Sequence, residues 1–318
     1  GEHDFKGDCL SFFQGPIQRR FESVVKLSQK YQEVSKSVLC RTLGVRRGSF
    51  YAWQKREPSS RAQIRLGLVE QIKSVHEASK GTYGSPRVTA SLRAVGEIVN
   101  HKRIERIMQN EGIYGCAKRK FRAFTGTDSK HELPIAPRVF EVQSKANFPC
   151  KPNHVWVSDS TYIATQEGWL YLTIQLDVYT RKVVGYTLSD HLKSEVVWES
   201  MQQAIRQQTG ALCINGPQLI AHSDRGSQYA SELYRSKLER LGIMQSMSRT
   251  GNCYDNAYAE TFFHTLKVEL VHRSQFETRQ EAENAIREYI DFWYNPKRLH
   301  SGLGYKTPID YERQALAA

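Results

Sequence analysis

No stretch of this 318-residue chain approaches the ~20 consecutive apolar residues of a membrane span, and no secretory leader is visible. A membrane partner is therefore not expected. Its six cysteines, at positions 9, 40, 116, 150, 213 and 253, include no CxxC pair and follow no regular spacing. That leaves a zinc ribbon or finger without a ligand pattern and makes a disulfide framework a poor fit for so long a chain. The thiols read as reduced, in a cytoplasmic protein. Acidic residues are in deficit, 33 against 45 Lys and Arg, which gives a formal charge of +12 and a pI of about 9.4. Positive excess says little about fold, but it favours a polyanionic partner and steers the protein toward it. A merely basic protein would show the same excess, so charge alone does not establish nucleic acid as the partner. What is present is ordinary for globular domains: 40% hydrophobic and 25% charged residues. The length accommodates two or three domains of about 100–150 residues each.

After a lead-in without clear period (1–18), apolar positions Phe21, Val24, Val25, Leu27 and Tyr31 recur at threes and fours, as on one helix face. The stretch KSVLCRTLGVRRGSFYAWQKR then has the form of a helix-turn-helix: helix 36–43, a break at Gly44, helix 47–54. Its second helix would present Arg46, Arg47, Ser49 and Tyr51 to DNA, with Phe50 and Trp53 beneath. An ordinary helical hairpin with solvated arginines fits the same letters. A helix over 61–80 follows, and then GTYGSPRVTASLRAVGEIVNHKRIERIMQNEGIYG repeats the pattern. Gly81, Gly84 and Pro86 punctuate it, and a last helix begins near Asn100 with His101, Lys102, Arg103 and Arg106 on it. Two basic hairpins in series strengthen the reading of DNA contact. The expected organisation is a helix-turn-helix region (1–58), a second helix-turn-helix domain (59–116), a basic linker (117–150), an α/β core (151–275) and a helical extension (276–318). The linker carries Lys118, Arg119, Lys120 and Arg122 and four prolines, and reads as extended, with phosphate contacts in view.

From His154 the period becomes two. HVWVSDSTYIAT, WLYLTIQLDVYT and KVVGYTLSD read as three strands with short connections, an antiparallel meander. A helix over 194–208, a strand ending on Asp224, a helix over 231–242, a strand IMQSMS and a long helix from about 255 to 271 complete a mixed five-stranded sheet with helices on its faces. A further helix is expected over 279–294, then an irregular tail closed by a short helix.

Three acids stand out in this frame. Asp159 lies mid-strand on the face opposite Trp156, where an ionisable group costs desolvation unless something pairs with it. Asp224 ends a strand, where α/β sheets commonly place ligand sites. Glu260 follows after 35 intervening residues, inside a helix. Mg²⁺ binds carboxylate oxygens and keeps several waters, so a carboxylate set gathered from distant positions suits phosphodiester chemistry that needs no covalent protein nucleophile. Three acids in surface or salt-bridged roles are the plainer alternative. Asp177 is a competing acid for which a structural or secondary role is expected. Asp255 reads as the cap of the Glu260 helix, and His222 and His300 read as hydrogen-bonding members of the fold.

HVWVSDSTYIAT, HSDRGSQYAS, SMSRTGNCYDNAYAETFFHTLKVELV and YIDFWYNPKRLHSGLGYKTP resemble the core of IS3-family insertion-sequence transposases, of the DDE transposase and retroviral integrase group. The resemblance covers about residues 20–312, and the 35-residue interval before Glu260 matches the family's signature. It implies a ribonuclease-H-like core in which Asp159, Asp224 and Glu260 are catalytic and ligate two Mg²⁺ ions, with Mn²⁺ able to substitute. It also implies that Lys267, seven positions after Glu260, holds a phosphate near the site. The implied activity is cleavage of insertion-sequence ends and strand transfer into target DNA, by a homo-oligomer of at least two copies on double-stranded DNA, in a bacterial cytoplasm at the nucleoid. Many relatives carry an upstream fusion with a leucine zipper, and no heptad run for one occurs here. Two other readings fit the motifs: a nuclease of the same fold that cuts without joining, and a DNA-binding regulator with an inactive core.

Overall fold

The computed structural model describes residues 16–57, 59–116, 132–140, 149, 151–208, 219–248 and 256–317. They divide into two compact units, Gly1–Glu70 and Gln71–Ala318.

The first unit is a three-helix arrangement of α1 (Ile17–Lys30), α2 (Lys36–Thr42) and α3 (Arg47–Lys55), followed by the start of α4 (Ser60–Ala78). Phe21, Val24 and Leu27 from α1 close on Leu39, Cys40, Leu43, Val45 and Phe50, with Trp53 packed at the margin. Ser35 caps α2 by accepting the Val38 amide, and Gly44 adopts φ +64° in the turn between α2 and α3. A β-carbon is disfavoured at that φ, so the sequence places its hairpin break there.

The second unit opens with the rest of α4, α5 (Ser85–Ala94) and α6 (His101–Asn110). Asn100 caps α6, accepting the Lys102 amide at 2.9 Å, while Ile104, Ile107 and Met108 turn inward. The sheet comprises β1 (Val155–Thr165), β2 (Gly168–Asp177), β3 (Val183–Ser189), β4 (Ile220–Ser223) and β5 (Met244–Met247), in the order β3-β2-β1-β4-β5. The first three strands form the expected meander, and β4 and β5 join it in parallel. Helix α7 (Ser194–Gln207) packs on β3 and β2, burying Val197, Met201 and Ala204 with Trp156, and α8 (Glu232–Arg240) lies beside it. The approach is close: a β-carbon on Gly185 would stand 2.4 Å from the Ser200 carbonyl. Helix α9 (Ala257–Glu269) lies against β1 and β2, as does α10 (Arg279–Glu288) against the same strands. This is the mixed five-stranded sheet that the sequence patterning led us to expect, with the ribonuclease-H-like topology that the family resemblance implied.

Three features were not anticipated. Helix α10 does not run on as α-helix to 294; it widens into a π-helical turn, Tyr289–Tyr294, before α11 (Pro308–Ala317). The described part of the proline-rich linker, 132–140, has no helix or strand but is anchored, since the Val139 and Phe140 amides donate to Ser246 Oγ at 3.0 and 3.1 Å. The carbonyl side of α9 is tied to residues 83–87 and 289–300 by buried charges, described below. Among the described residues, no helix is long and apolar enough to cross a membrane.

Candidate active site

The sheet itself places two of the acids. β1 and β4 run parallel in the register Val155↔Ile220 through Ser158↔Ser223, and the pairing stops there. Asp159 and Asp224 are the next residues on each strand. Neighbouring strands lie about 4.8 Å apart, so the two carboxylates leave the carboxyl end of one strand pair side by side. Strand β1 continues beyond its pairing with β4 while still bonded to β2, so Asp159 sits on a backbone held from one side. Its side chain has the parity opposite to Trp156, which is buried under α7, and it therefore faces α9.

Helix α9 brings the third acid. Glu260 is in its first turn, and Lys267 follows seven residues later, two turns along the same stripe. Glu260 itself is exposed, whereas Asp159 and Asp224 are half-buried. Asp159 senses the other three groups. Burial raises the Asp159 carboxyl well above its usual range, and the negative charges of Asp224 and Glu260 push it further, while the Ser160 amide (2.8 Å to Oδ1) and the Lys267 ammonium act against them. Desolvation lowers Lys267, with Asp159 opposing the shift, and partial desolvation by the surrounding protein raises Glu260 although its surface is open. The Lys267 ammonium also stands 5.2 Å over the Tyr162 ring. Asp224 closes its own turn, accepting the Gly226 amide at 3.0 Å.

Among the described residues, no three acidic, His or Cys side chains converge closely enough to ligate one ion. The donor set nevertheless fits a hard divalent cation. A carboxylate whose proton affinity is raised by burial and by neighbouring carboxylates, as Asp159 is, gains most from a cation that replaces the proton.

Beneath the acids lies a polar layer that the sequence did not reveal. Ser158 Oγ is 3.1 Å from the Tyr229 hydroxyl, and Gln175 donates to Ser158 Oγ (2.8 Å) and Ser200 Oγ (2.9 Å). Burial raises Tyr229 well above its usual value, reinforced by Asp159 and Asp224, so the phenol stays protonated as a neutral floor to the site. Asn256, at the start of α9, donates to the Ser158 carbonyl at 3.4 Å. In alternating strands such polar residues look like exposed positions. The only available signal was Tyr229, five residues after Asp224 in HSDRGSQY, and its aromatic character pointed to the core.

The other singled-out residues separate cleanly. Asp177 is buried and fully engaged, accepting the Thr180 amide and hydroxyl (3.0 and 2.6 Å) and the Asn153 amide (3.2 Å), a turn-closing role away from the triad. His222 bonds Ser246 (2.9 Å). His300 is held neutral, its pKa lowered to about 3 by burial and by the neighbouring Arg298. Arg46, Arg47 and Ser49 are exposed at the start of α3, and Lys102, Arg103 and Arg106 are exposed along α6. Lys118, Arg119 and Lys120 lie outside the described residues, as does Asp255 with its expected cap.

Sequence comparison places family boundaries on this architecture. Residues 149–253 match the profile described as Integrase core domain, residues 260–316 a second profile of that description, and residues 63–121 an HTH-like domain. The insertion element IS600 uncharacterized 31 kDa protein of Shigella sonnei is 41% identical over 276 residues, 87% of this chain and 98% of that protein. The transposase for insertion sequence element IS904 of Lactococcus lactis is 40% identical over 81% of this chain and 98% of its own length. Transposase InsF for insertion sequence IS3A of Escherichia coli is 35% identical over 91% and 98%. Among solved structures, similarity extends to the HTLV-2 integrase catalytic core domain in complex with magnesium, at 17% identity and a TM-score of 0.40, covering 51% of this chain and 98% of that one. The chain belongs to the IS3 family of insertion-sequence transposases, with an integrase-type core and an HTH-like segment.

Proposed function

We propose that this transposase cleaves the ends of its element and joins them to target DNA with Asp159, Asp224 and Glu260 as the ligands of two divalent cations, Mg²⁺ with Mn²⁺ able to substitute. One observation carries the reading. Two carboxylates leave the same end of a parallel strand pair, a third on α9 is near enough for its charge to act on Asp159, and the charges of Asp224 and Glu260 raise Asp159 together. When bound, divalent cations supply Lewis acidity toward a phosphodiester. The residues of the chain do the rest. Asp159 is held within β1, and Asp224 directly follows β4 in a turn closed by its own side chain, so their separation varies little. Glu260 presents its carboxylate on the open side, where a DNA strand can enter. Lys267 offers an ammonium beside Asp159 for a non-bridging phosphate oxygen, and the Tyr162 ring holds it in place until a phosphate competes for it. The exposed cations of α3 and α6 bind the duplex, and action on paired ends calls for at least two copies of the chain.

The test uses paired element-end DNA and resolves cleaved from joined strands. The parent chain gives both products with Mg²⁺ or Mn²⁺. Asp159→Ala, Asp224→Ala and Glu260→Ala each lose both by more than the ~10–100-fold typical of outer-shell substitutions around a metal, while retaining end binding. Full activity in any of the three would overturn the assignment. Cleavage by the parent without joined product would reassign the chain as a nuclease of this fold.

A further inference from the structure

Glu269, the last residue of α9, follows Glu260 by nine positions. Nine residues are two and a half turns, so Glu269 points away from the triad and into the protein. Its side chain is 4% exposed and that of its partner Arg298 is 5% exposed. Arg298 donates from Nε to both carboxylate oxygens (3.0 Å each) and from Nη2 to Oε1 (2.8 Å). The Tyr289 hydroxyl (2.9 Å) and the Trp293 indole N–H (3.5 Å) complete the shell at Oε2.

A second guanidinium comes from elsewhere in the chain. Arg87, on the first turns of α5 in the HTH-like segment, stands 4.0 Å from Glu269 Oε1 and donates from Nε to the Leu299 carbonyl at 3.0 Å. Tyr83 of the same segment accepts the Leu299 amide (2.8 Å) and donates to the Lys297 carbonyl (3.2 Å). One buried carboxylate at the end of the triad helix thus faces two arginines from segments some two hundred residues apart. With His300 neutral, the cluster carries an uncompensated positive charge. A buried Glu269–Arg298 pair with the half-buried Arg87 beside it is weak evidence for stability by itself, and fixing one geometry is the role left for such a cluster to be tested. Here that geometry is the direction of α9.

We propose that Glu269 is a positioning residue for the active site, and that Arg87 makes the position of Glu260 and Lys267 depend on the HTH-like segment. The segment then does more than bind DNA: it is half of the clasp that sets the third carboxylate against the first two. This rests on the triad reading above.

The experiment uses the full chain and measures Mn²⁺ binding by electron paramagnetic resonance in the absence of DNA, alongside thermal unfolding and the Mg²⁺ dependence of end cleavage. Arg87→Gln, at the cluster's rim, is the principal variant, with Arg87→Lys as the conservative rescue and Glu269→Gln as the stronger lesion. For Arg87→Gln we expect an unfolding midpoint close to the parent's and about 10–100-fold weaker Mn²⁺ binding, the range seen when outer-shell support of metal ligands is removed. The Mg²⁺ concentration for half-maximal cleavage rises in step. Arg87→Lys recovers part of both, and Arg87→Gln adds nothing when combined with Glu269→Gln if the two act through one contact. Parent-like Mn²⁺ affinity in Arg87→Gln overturns the proposal, and so does a loss that simply tracks a lowered unfolding midpoint. Asp159→Ala separates the two readings: if it binds Mn²⁺ as the parent does, the triad assignment fails, whereas its loss beside an unaffected Arg87→Gln condemns the positioning role alone. Should Glu269→Gln not fold, the Arg87 pair decides the question.

Discussion

Two aspartates on this sheet, both drawn into the protein, show how burial alone does not define a site. Asp177 has three donors of its own, and burial still raises its pKa from 3.8 to about 6. Asp159 has one backbone donor, and the negative charges of its neighbours add to the shift. The first is a self-contained turn; the second is raised further by the charges of Asp224 and Glu260. Asp177 gives a pH prediction with a definite sign. Between about pH 4 and pH 6 the folded chain keeps a proton on Asp177 that the unfolded chain has released. Stability therefore falls with rising pH across that window, by on the order of 3 kcal/mol in all, and is flat in this residue above it. Asp177→Asn has nothing to titrate. Denaturant unfolding of the second unit at pH 4, 5, 6 and 7 should show that slope removed relative to the parent, even though the amide loses a hydrogen bond and lowers stability throughout. Parallel pH profiles for the two proteins would refute the shift. Strand period, strand end and spacing singled out Asp159, Asp224 and Glu260 as candidates, and the family resemblance supplied their expected role. The sequence did not disclose Tyr229, Gln175 or Glu269, because a buried polar residue is recognised by its partners, and those partners come from other strands and helices.

Whole elements were legible where local chemistry ends them. Ser35, Asn100, Ser231 and Thr278 each accept an amide in the first turn of the helix they precede, and strands alternate as the sheet requires. The π-helical turn at 289–294 was illegible, since its apolar residues follow the α-helical period; two of its residues, Tyr289 and Trp293, donate to Glu269. DNA contact is decided at this scale as well. On α3, Arg46 and Arg47 are exposed beside one another, and Arg47 Nη1 donates to Ser37 Oγ at 3.2 Å, which fixes the guanidinium on the helix surface. On α6, Lys102, Arg103 and Arg106 share their surface with the exposed Glu105. If both helices meet the backbone, Arg46→Ala with Arg47→Ala lowers the slope of log K against log salt by about 1.8, as expected for two lost phosphate contacts. The α6 triple substitution lowers it by up to about 2.7 on the same reckoning. Titrations of element-end DNA at three or more salt concentrations measure both. An unchanged slope in either variant removes that helix from the contact surface. A variant that weakens element ends and leaves random duplex untouched identifies the helix that reads bases.

At the scale of the molecule, the division at Glu70 and Gln71 separates a small apolar core from a large one. The first unit rests on about eight buried apolar side chains around Phe50, which is fully buried and touches Phe21, Tyr51 and Trp53 through ring contacts at 5.4–6.1 Å. A unit of this size holds only a modest margin of stability. Phe50→Ala removes about 3–5 kcal/mol of packing, enough to unfold such a unit outright. The second unit has its own core, built on Trp156, Val197, Met201 and Tyr234, and its own charged clasp at Glu269, and none of these includes a residue before Gln71. Hydrogen exchange of Phe50→Ala should therefore show peptides from 17–55 losing protection while peptides from β1, β2 and α9 keep theirs. Mn²⁺ binding, which the proposed triad and clasp would support, should stay at the parent level, and binding of element ends should weaken. The functional division would then follow the structural one, with part of the DNA affinity in the first unit and the whole of the metal site in the second. Loss of protection in both units together would mean that the chain folds as one cooperative body, and the first core would then have to be counted among the supports of the active site.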